Sequence, residues 1–429
     1  MKCYVHSDRF LRCALRAATL GGLGIFSVVP LLGIHGQAIA QPRNQPRNQT
    51  RWDAARRQMF ETAIAGNGVT NKAVRASMRS TPRHEFLPKA QWKHAYLDMA
   101  LPIGGGQTIT SPFVVARMTE ALDPQPTDHV LEIGTGSGYQ AAVLSPIVAT
   151  VYSIEIVESL ARRANRTLKR LNYENVLTKA GDGYLGWPEH APFDKIIVTC
   201  SPDNIPVPLV QQLREGGRMV IPLGKRYQQT LTVLRKVHGK LEHEALEPTF
   251  FVPMTGKAEQ LRDHTSEPTD CQLVNRSFEV ADDQGYPQGW YYRRRAQVVH
   301  DPNALAGEKV LRLHNDIPGQ GAQALQAIGV DGRHMQKIRI HARLMGTQLR
   351  AGQTDEQTPR IELVFYNRGR SPIKETMLGP WTGTFDWKEI GKSISVPQQA
   401  SLAVLTLAMY GGVGELLIDE IDIQIVAPD

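Results

Sequence analysis

The most concentrated chemical signal in the 429-residue chain is Val130-Leu131-Glu132-Ile133-Gly134-Thr135-Gly136-Ser137-Gly138-Tyr139. An apolar strand runs straight into a glycine-rich turn, and a helix follows. Glycines let a ligand approach the backbone, and the start of a helix offers free N–H groups. The spacing is Gly-x-Gly-x-Gly, with Tyr139 where a dinucleotide site would carry its third glycine beside a pyrophosphate. Glu132 would also sit poorly beside a diphosphate and suits a cationic ligand with an amino-acid end. Glu155 ends the next apolar run, 21 residues beyond Gly134, where a carboxylate can accept both ribose hydroxyls. Asp182, in Gly181-Asp182-Gly183 after a third strand, is placed to meet an adenine amino group. The plain alternative is a structural glycine turn with two solvated acids; the agreement of these features in order and spacing weighs against it.

These residues need a scaffold of alternating strands and helices. Helical spacing marks residues 53–80, with Ala54, Met59, Phe60 and Ile64 and then Val74, Ala76 and Met78. From Asp128 onward, strands are expected at His129–Ile133, Thr150–Ile154, Val176–Lys179, Lys195–Thr199 and Arg218–Pro222. A helix is expected after Gly138 and a long amphipathic one over Val157–Leu171. That alternation predicts a doubly wound α/β domain, Rossmann-like, with a parallel sheet covered on both faces. Residues 259–271 are polar and read as a linker. Residues 272–429 then show only short alternating runs between Gly, Pro and Asn, which predicts an all-β jelly-roll sandwich. Each half is long enough for its own core, and the sequence predicts two independent bodies, the first over 53–258.

Four segments carry a resemblance to a known family. They are Leu101-Pro102-Ile103-Gly104-Gly105-Gly106-Gln107-Thr108-Ile109-Thr110, the glycine loop, Gly181-Asp182-Gly183 with Ala191-Pro192-Phe193-Asp194, and Phe251-Val252-Pro253-Met254. Together they resemble protein-L-isoaspartate (D-aspartate) O-methyltransferases, class I enzymes that use S-adenosylmethionine, over about half the chain. The resemblance implies methyl transfer to the α-carboxylate of isoaspartyl residues in damaged proteins. It implies a cofactor site of Glu132, Gly134, Gly136, Gly138, Glu155, Asp182 and Gly183, and an acceptor side of Ile109, Ser111 and Val252 around a catalytic hydroxyl. The family has Ser directly after Gln-Thr-Ile, and here that position is Thr110, followed by Ser111. Thr110 keeps the hydroxyl donor and is the better catalytic match. Ser111, just before Pro112, is the better N-cap for a helix over Phe113–Leu122.

A carboxylate is already ionised at neutral pH, so such a reaction needs no general base. It is helped by alignment and hindered by water around the attacking oxygen. A site of backbone amides and hydroxyls is therefore expected, and the Pro102–Thr110 segment has that composition. The 13 histidines lie scattered without metal-ligand spacing and no Cys-x-x-Cys occurs, so no catalytic metal is expected. Cys200, at the end of a strand, reads as a filler more readily than as a reactive thiol.

In the second half, Asn275-Arg276-Ser277-Phe278-Glu279, Pro287-Gln288-Gly289-Trp290 and Leu417-Ile418-Asp419-Glu420 resemble the first and last strands of carbohydrate-binding jelly rolls. That likeness implies a glycan or envelope partner. Trp290 and Trp387 read as edge-of-core rings, and Trp381, Tyr291, Tyr292 and Tyr410 as freer candidates for stacking on a sugar. Glu279 and Asp419 are placed to share a structural calcium.

The net charge of +7 comes partly from Lys2, Arg9, Arg12 and Arg16, and the rest is too evenly spread for a nucleic-acid binder. Those residues precede an uncharged run and Ala38-Ile39-Ala40, the pattern of a cleaved export signal over residues 1–40. Residues 41–52, with Gln-Pro-Arg-Asn twice, read as a disordered linker. The leader predicts the periplasm or cell envelope, whereas S-adenosylmethionine implies the cytoplasm. A methyltransferase of another carboxylate, or a non-catalytic envelope protein with a vestigial first half, are the competing readings. The intact Pro-Ile-Gly…Gln-Thr-Ile segment opposes the first, and the intact glycines and acids oppose the second.

Overall fold

A computed structural model describes residues 47–225, 228–261, 271–368 and 372–426. The leader, the start of the linker after it and most of the 259–271 linker lie outside the described residues. Helix α1 (Arg47–Met59) begins inside the 41–52 stretch expected to be disordered, so regular structure starts earlier than its polar composition suggests. Helix α2 (Lys72–Ser80) follows, capped by the Asn71 side chain, which accepts from the N–H groups of Ala73 at 3.0 Å and Val74 at 3.1 Å. A short hairpin, β1 (Leu101–Gly104) and β2 (Gln107–Ile109), then leads into α3 (Pro112–Leu122).

The alternating region forms β3 (His129–Ile133), α4 (Tyr139–Leu144), β4 (Thr150–Glu155), α5 (Glu158–Arg170), β5 (Val176–Ala180), β6 (Phe193–Val198), α6 (Val207–Gln212) and β7 (Leu213–Lys225). Two antiparallel strands, β8 (Gln228–Val237) and β9 (Lys240–Thr249), extend the sheet to the order β5-β4-β3-β6-β7-β8-β9. The strands β3 to β7 pair in parallel. Their apolar runs are continuous because both faces are covered. Val130, Ile197 and Val220 face one apolar cluster, with α2–α5, while Leu131, Ile196, Met219 and Ile221 face another, with α6. Helix α5 buries Leu160, Ala161, Ala164 and Leu168, one stripe at helical spacing. Chain order reverses between β3 and β6, and the crevice at the carboxyl ends of such strands is where doubly wound sheets bind ligands.

Past α7 (Lys257–Gln260), the second half contains β10 (Tyr291–Arg294), β11 (Ala296–His300), β12 (Lys309–Asn315), β13 (Gln323–Gly329) and β14 (Lys337–Arg350). It continues with β15 (Arg360–Asn367), β16 (Pro372–Leu378), β17 (Gly383–Ser395), β18 (Ala400–Ala408) and β19 (Val413–Val426). They form two antiparallel five-stranded sheets, β10-β13-β18-β15-β16 and β11-β12-β19-β14-β17. Between the sheets lies a core that includes Phe278, Trp290, Leu313, Ile340, Phe365, Leu405 and Ile418. Glu279 and Asp419 each accept backbone N–H groups of one loop: Glu308 and Lys309 donate to Glu279, Leu305 and Ala306 to Asp419. The carboxylates thus fasten that loop to the segment before β10 and to the last strand.

The two halves pack against each other, and their described residues fall in one compact unit. Arg294 of β10 pairs with Asp98 at 2.7 Å, Arg295 donates to Asn67 at 2.7 Å, and Gln320 donates to the Thr62 carbonyl at 2.8 Å. Glu356 accepts from Lys93 at 2.9 Å and bonds His94. Phe250, just after β9, packs on Leu325, Leu402 and Val404, together with Tyr291, Tyr292 and Tyr366. Polarity at the linker made the halves look separable, but the apolar outer face of the β10–β16 sheet is covered by the first half. The rings offered for sugar stacking are engaged as well: Trp381 is buried, Tyr291 and Tyr292 pack on that patch, and the Tyr410 hydroxyl donates to Glu362 at 2.5 Å, while Trp290 is buried in the core.

Candidate active site

The loop after β3 takes a conformation that glycine alone adopts without strain, with φ of +97° at Gly134, +54° at Gly136 and +90° at Gly138. At Gly134 space is also lacking, because an added Cβ would lie 2.5 Å from Thr199 Oγ1. That Thr199 hydroxyl donates to the Gly134 carbonyl at 2.7 Å, tying the loop to the end of β6. From the other side, Glu155 at the end of β4 accepts the Gly136 N–H at 2.7 Å and the Val157 N–H at 2.8 Å. Burial pushes the Glu155 carboxyl up, and the N–H groups of Val157 and Gly136 oppose it. Each oxygen retains a lone pair for a further donor.

A cleft of about 760 Å³, open to solvent, lies over these strand ends. Its walls bring together Ile109 and Thr110 from the hairpin, Gly134 and Gly136 from the loop, Glu155, Gly183 and Val252. Val252 is held there because its carbonyl accepts the Ser201 N–H at 2.8 Å, while the Met254 N–H donates back to Ser201 at 2.8 Å. Gly183 packs so tightly on Ile133 that a Cβ would come within 2.4 Å of it.

Four expected site residues stand outside those walls. Glu132 is fully buried beneath the loop, where the Ser153 hydroxyl donates to it; burial raises its carboxyl to about 8. Two residues after Val130, it shares the sheet face that α2–α5 cover and does not line the cleft. Asp182 uses both oxygens on backbone, accepting from Tyr184 at 2.9 Å and Lys257 at 2.7 Å, and so ties the β5 end to α7. Gly138 lies behind the loop, against Leu168 of α5. Ser111 precedes Pro112 as expected, but it is buried, its hydroxyl has no partner and it makes no capping bond. The cap comes from Asp98, whose Oδ1 accepts the Phe113 N–H at 2.9 Å. No local pattern announces that bond across 15 positions.

Sequence reasoning also missed Thr135, Tyr139, Gln140, Ile156, Thr199 and Met254 in the walls. The rule that ligands bind at the carboxyl ends of these strands was the signal that Ile156 and Thr199 offered. Cys200 is there too; burial first, then the nearby Glu155 and Asp182 charges, push its thiol well up, so it stays protonated. The cleft has a carboxylate backed by two amides, a glycine loop and a threonine hydroxyl in its walls. It fits a sulfonium ligand with a ribose better than a diphosphate, since the charged side chain in its wall is an acid.

A doubly wound sheet with this loop, this acid and this cleft defines a class I S-adenosylmethionine-dependent methyltransferase. Residues 54–259 match the family described as protein-L-isoaspartate(D-aspartate) O-methyltransferase. The Gloeobacter violaceus protein-L-isoaspartate O-methyltransferase is 48% identical over 203 residues, 47% of this chain and 99% of its own. The Opitutus terrae enzyme of the same name is 47% identical over 230 residues, 53% of this chain and 96% of its own. A solved protein-L-isoaspartate O-methyltransferase structure aligns at 26% identity over 60% of this chain and 84% of its own, with a TM-score of 0.44. On the sequence relatives, the chain belongs to the protein-L-isoaspartate (D-aspartate) O-methyltransferase family.

Proposed function

We propose that Thr110 is the acceptor-side hydroxyl of the enzyme, and that Glu155 with the Gly134–Gly136 loop holds the cofactor across the cleft from it. The enzyme uses S-adenosylmethionine to methylate isoaspartyl residues of damaged proteins, initiating their repair. The observation that carries the residue assignment is the shared cleft: Thr110 and Glu155 line one space, and Ser111 does not. When bound, the cofactor supplies a sulfonium methyl group. Thr110 donates to the substrate α-carboxylate and fixes one oxygen toward that methyl group. Ile109 and Val252 present apolar surface to the same carboxylate and exclude water from it. No residue has to take a proton. The test is methyl transfer to a peptide containing L-isoaspartate against the same peptide with aspartate. A base-labile methyl ester should form on the first alone. With Thr110→Val, turnover should fall at unchanged cofactor affinity, and Thr110→Ser should keep it.

The domain boundaries, with the methyltransferase over 53–258 and the sandwich over 272–429, belong to this proposal. The jelly-roll reading of the sandwich is supported by the way successive strands cross between its two sheets. A glycan or envelope partner has less support, because the rings that would stack on a sugar are packed. Export to the periplasm or envelope rests on residues 1–40, and sequencing the mature N-terminus from fractionated cells tests it.

A further inference from the structure

We infer that the β-sandwich is a working part of the methyl-acceptor site, and that Arg294 is its positioning residue. The inference rests on the assignment of Thr110 above. Asp98 is nearly buried, its side chain 2% exposed, and it has two partners. Oδ1 accepts the Phe113 N–H at 2.9 Å and Oδ2 accepts from Arg294 at 2.7 Å. The same guanidinium lies over the Phe113 ring, 4.2 Å from its centre. One side chain from the second half therefore grips both the capping acid and the first turn of α3. The residues immediately before that turn are Thr110 and Ser111, and Ser111 supplies no cap of its own. Arg294 bonds the Asp98 carboxylate directly, whereas Arg83 and Arg295 act on it through longer-range charge, so losing Arg294 leaves the buried capping acid without its hydrogen-bonded cation.

A second contact brings the sandwich to the opposite acceptor wall. Phe250 sits in the Leu325, Leu402 and Val404 patch, and two residues later Val252 lines the cleft. Phe251, between them, exchanges both backbone groups with the Gln229 amide, at 2.6 and 3.1 Å, so the segment is a stiff link and not a loose tail. Helix α3 is joined to the same strand by Arg117, whose Nε lies 3.1 Å from Glu247. The sandwich thus reaches the Thr110 wall and the Val252 wall. None of these contacts involves the Gly134–Gly138 loop or Glu155. Loss of the brace should act on the acceptor and spare the cofactor.

The experiment uses the full chain with Arg294→Ala, Arg294→Lys and Glu356→Ala. Glu356 joins the halves at Lys93 and His94, away from α3, and reports docking alone. Arg294→Ala should lower kcat on an isoaspartyl peptide at least tenfold and raise its KM, with S-adenosylhomocysteine affinity by calorimetry within threefold of wild type. Backbone amide exchange over residues 110–116 should quicken at least tenfold, with residues 134–139 unchanged. Arg294→Lys should recover much of kcat, because an ammonium still pairs with Asp98, and Glu356→Ala should change neither readout. The inference is overturned if exchange over 110–116 does not change. It is also overturned if cofactor affinity falls together with turnover, or if Glu356→Ala matches Arg294→Ala. If the wild-type protein does not methylate the isoaspartyl peptide, the acceptor chemistry proposed above fails instead, and amide exchange still decides the brace.

Discussion

At the residue scale, two carboxylates that look alike in sequence have opposite jobs. Glu155 meets the cleft and Glu132 does not. On the proposed assignment, Glu155→Ala removes a charged acceptor of two ribose hydroxyls, each such bond worth about 1.5–3 kcal/mol. Calorimetry should show S-adenosylmethionine affinity weakened at least tenfold; unchanged affinity would place the ribose elsewhere. Glu132 has its carboxyl raised by burial from 4.5 to about 8, so the folded state holds a proton that the unfolded state has released. Its contribution to stability is complete below about pH 4.5 and is lost as pH rises toward 8. Glu132→Gln stays neutral throughout. Its denaturation midpoint, relative to wild type, should rise steadily between pH 5 and pH 8, and a constant difference would refute the burial argument. Ser111→Ala deletes a buried hydroxyl that bonds to nothing, so neither stability nor turnover should drop.

At the element scale, the glycine loop is a backbone device before it is a ligand device. Gly138 has a φ of +90°, and an alanine there would put its Cβ 3.2 Å from Leu168 Cδ1. Backbone strain of this kind costs on the order of 1–3 kcal/mol. An alanine at Gly68, with a φ of +82° and open space around it, would suffer similar strain outside the cleft walls. Gly138→Ala and Gly68→Ala should both lower the melting temperature. Only the first should weaken cofactor binding, by moving the loop that Gly136 and Glu155 hold together. Equal binding by both variants would mean that the loop tolerates displacement.

At the scale of the whole molecule, the interface between halves decides how the enzyme fails. A chain ending at residue 258 leaves Asp98 in water without Arg294 and exposes Phe250, yet keeps the sheet, loop and Glu155. It should bind S-adenosylhomocysteine within about threefold of the full protein while melting lower and turning over isoaspartyl peptide more slowly. Arg294→Ala in the full chain should be worse for stability than that deletion's loss of a surface contact. It leaves a buried carboxylate unpaired, at about 3–5 kcal/mol for such sites. Comparing the two melting curves with the two activities separates the loss of a neighbour from the burial of a lone charge.

The sequence alone determined the doubly wound sheet, the strand–loop–helix around Gly134, Glu155 as the acid at the end of β4, and the Pro102–Thr110 segment that carries Ile109 and Thr110. Each is written in local periodicity or in a motif a few residues long, and each depends on short-range geometry. The tertiary structure decided the rest. Which face of β3 Glu132 occupies depends on what covers the sheet. Whether Asp182 meets a ligand depends on α7, 75 residues away along the chain. The cap of α3 comes from Asp98, and the grip on Asp98 comes from Arg294, 196 residues further on. Pairings at such separations leave no periodic trace in the chain, because they are fixed by how finished elements pack and not by how any one of them forms.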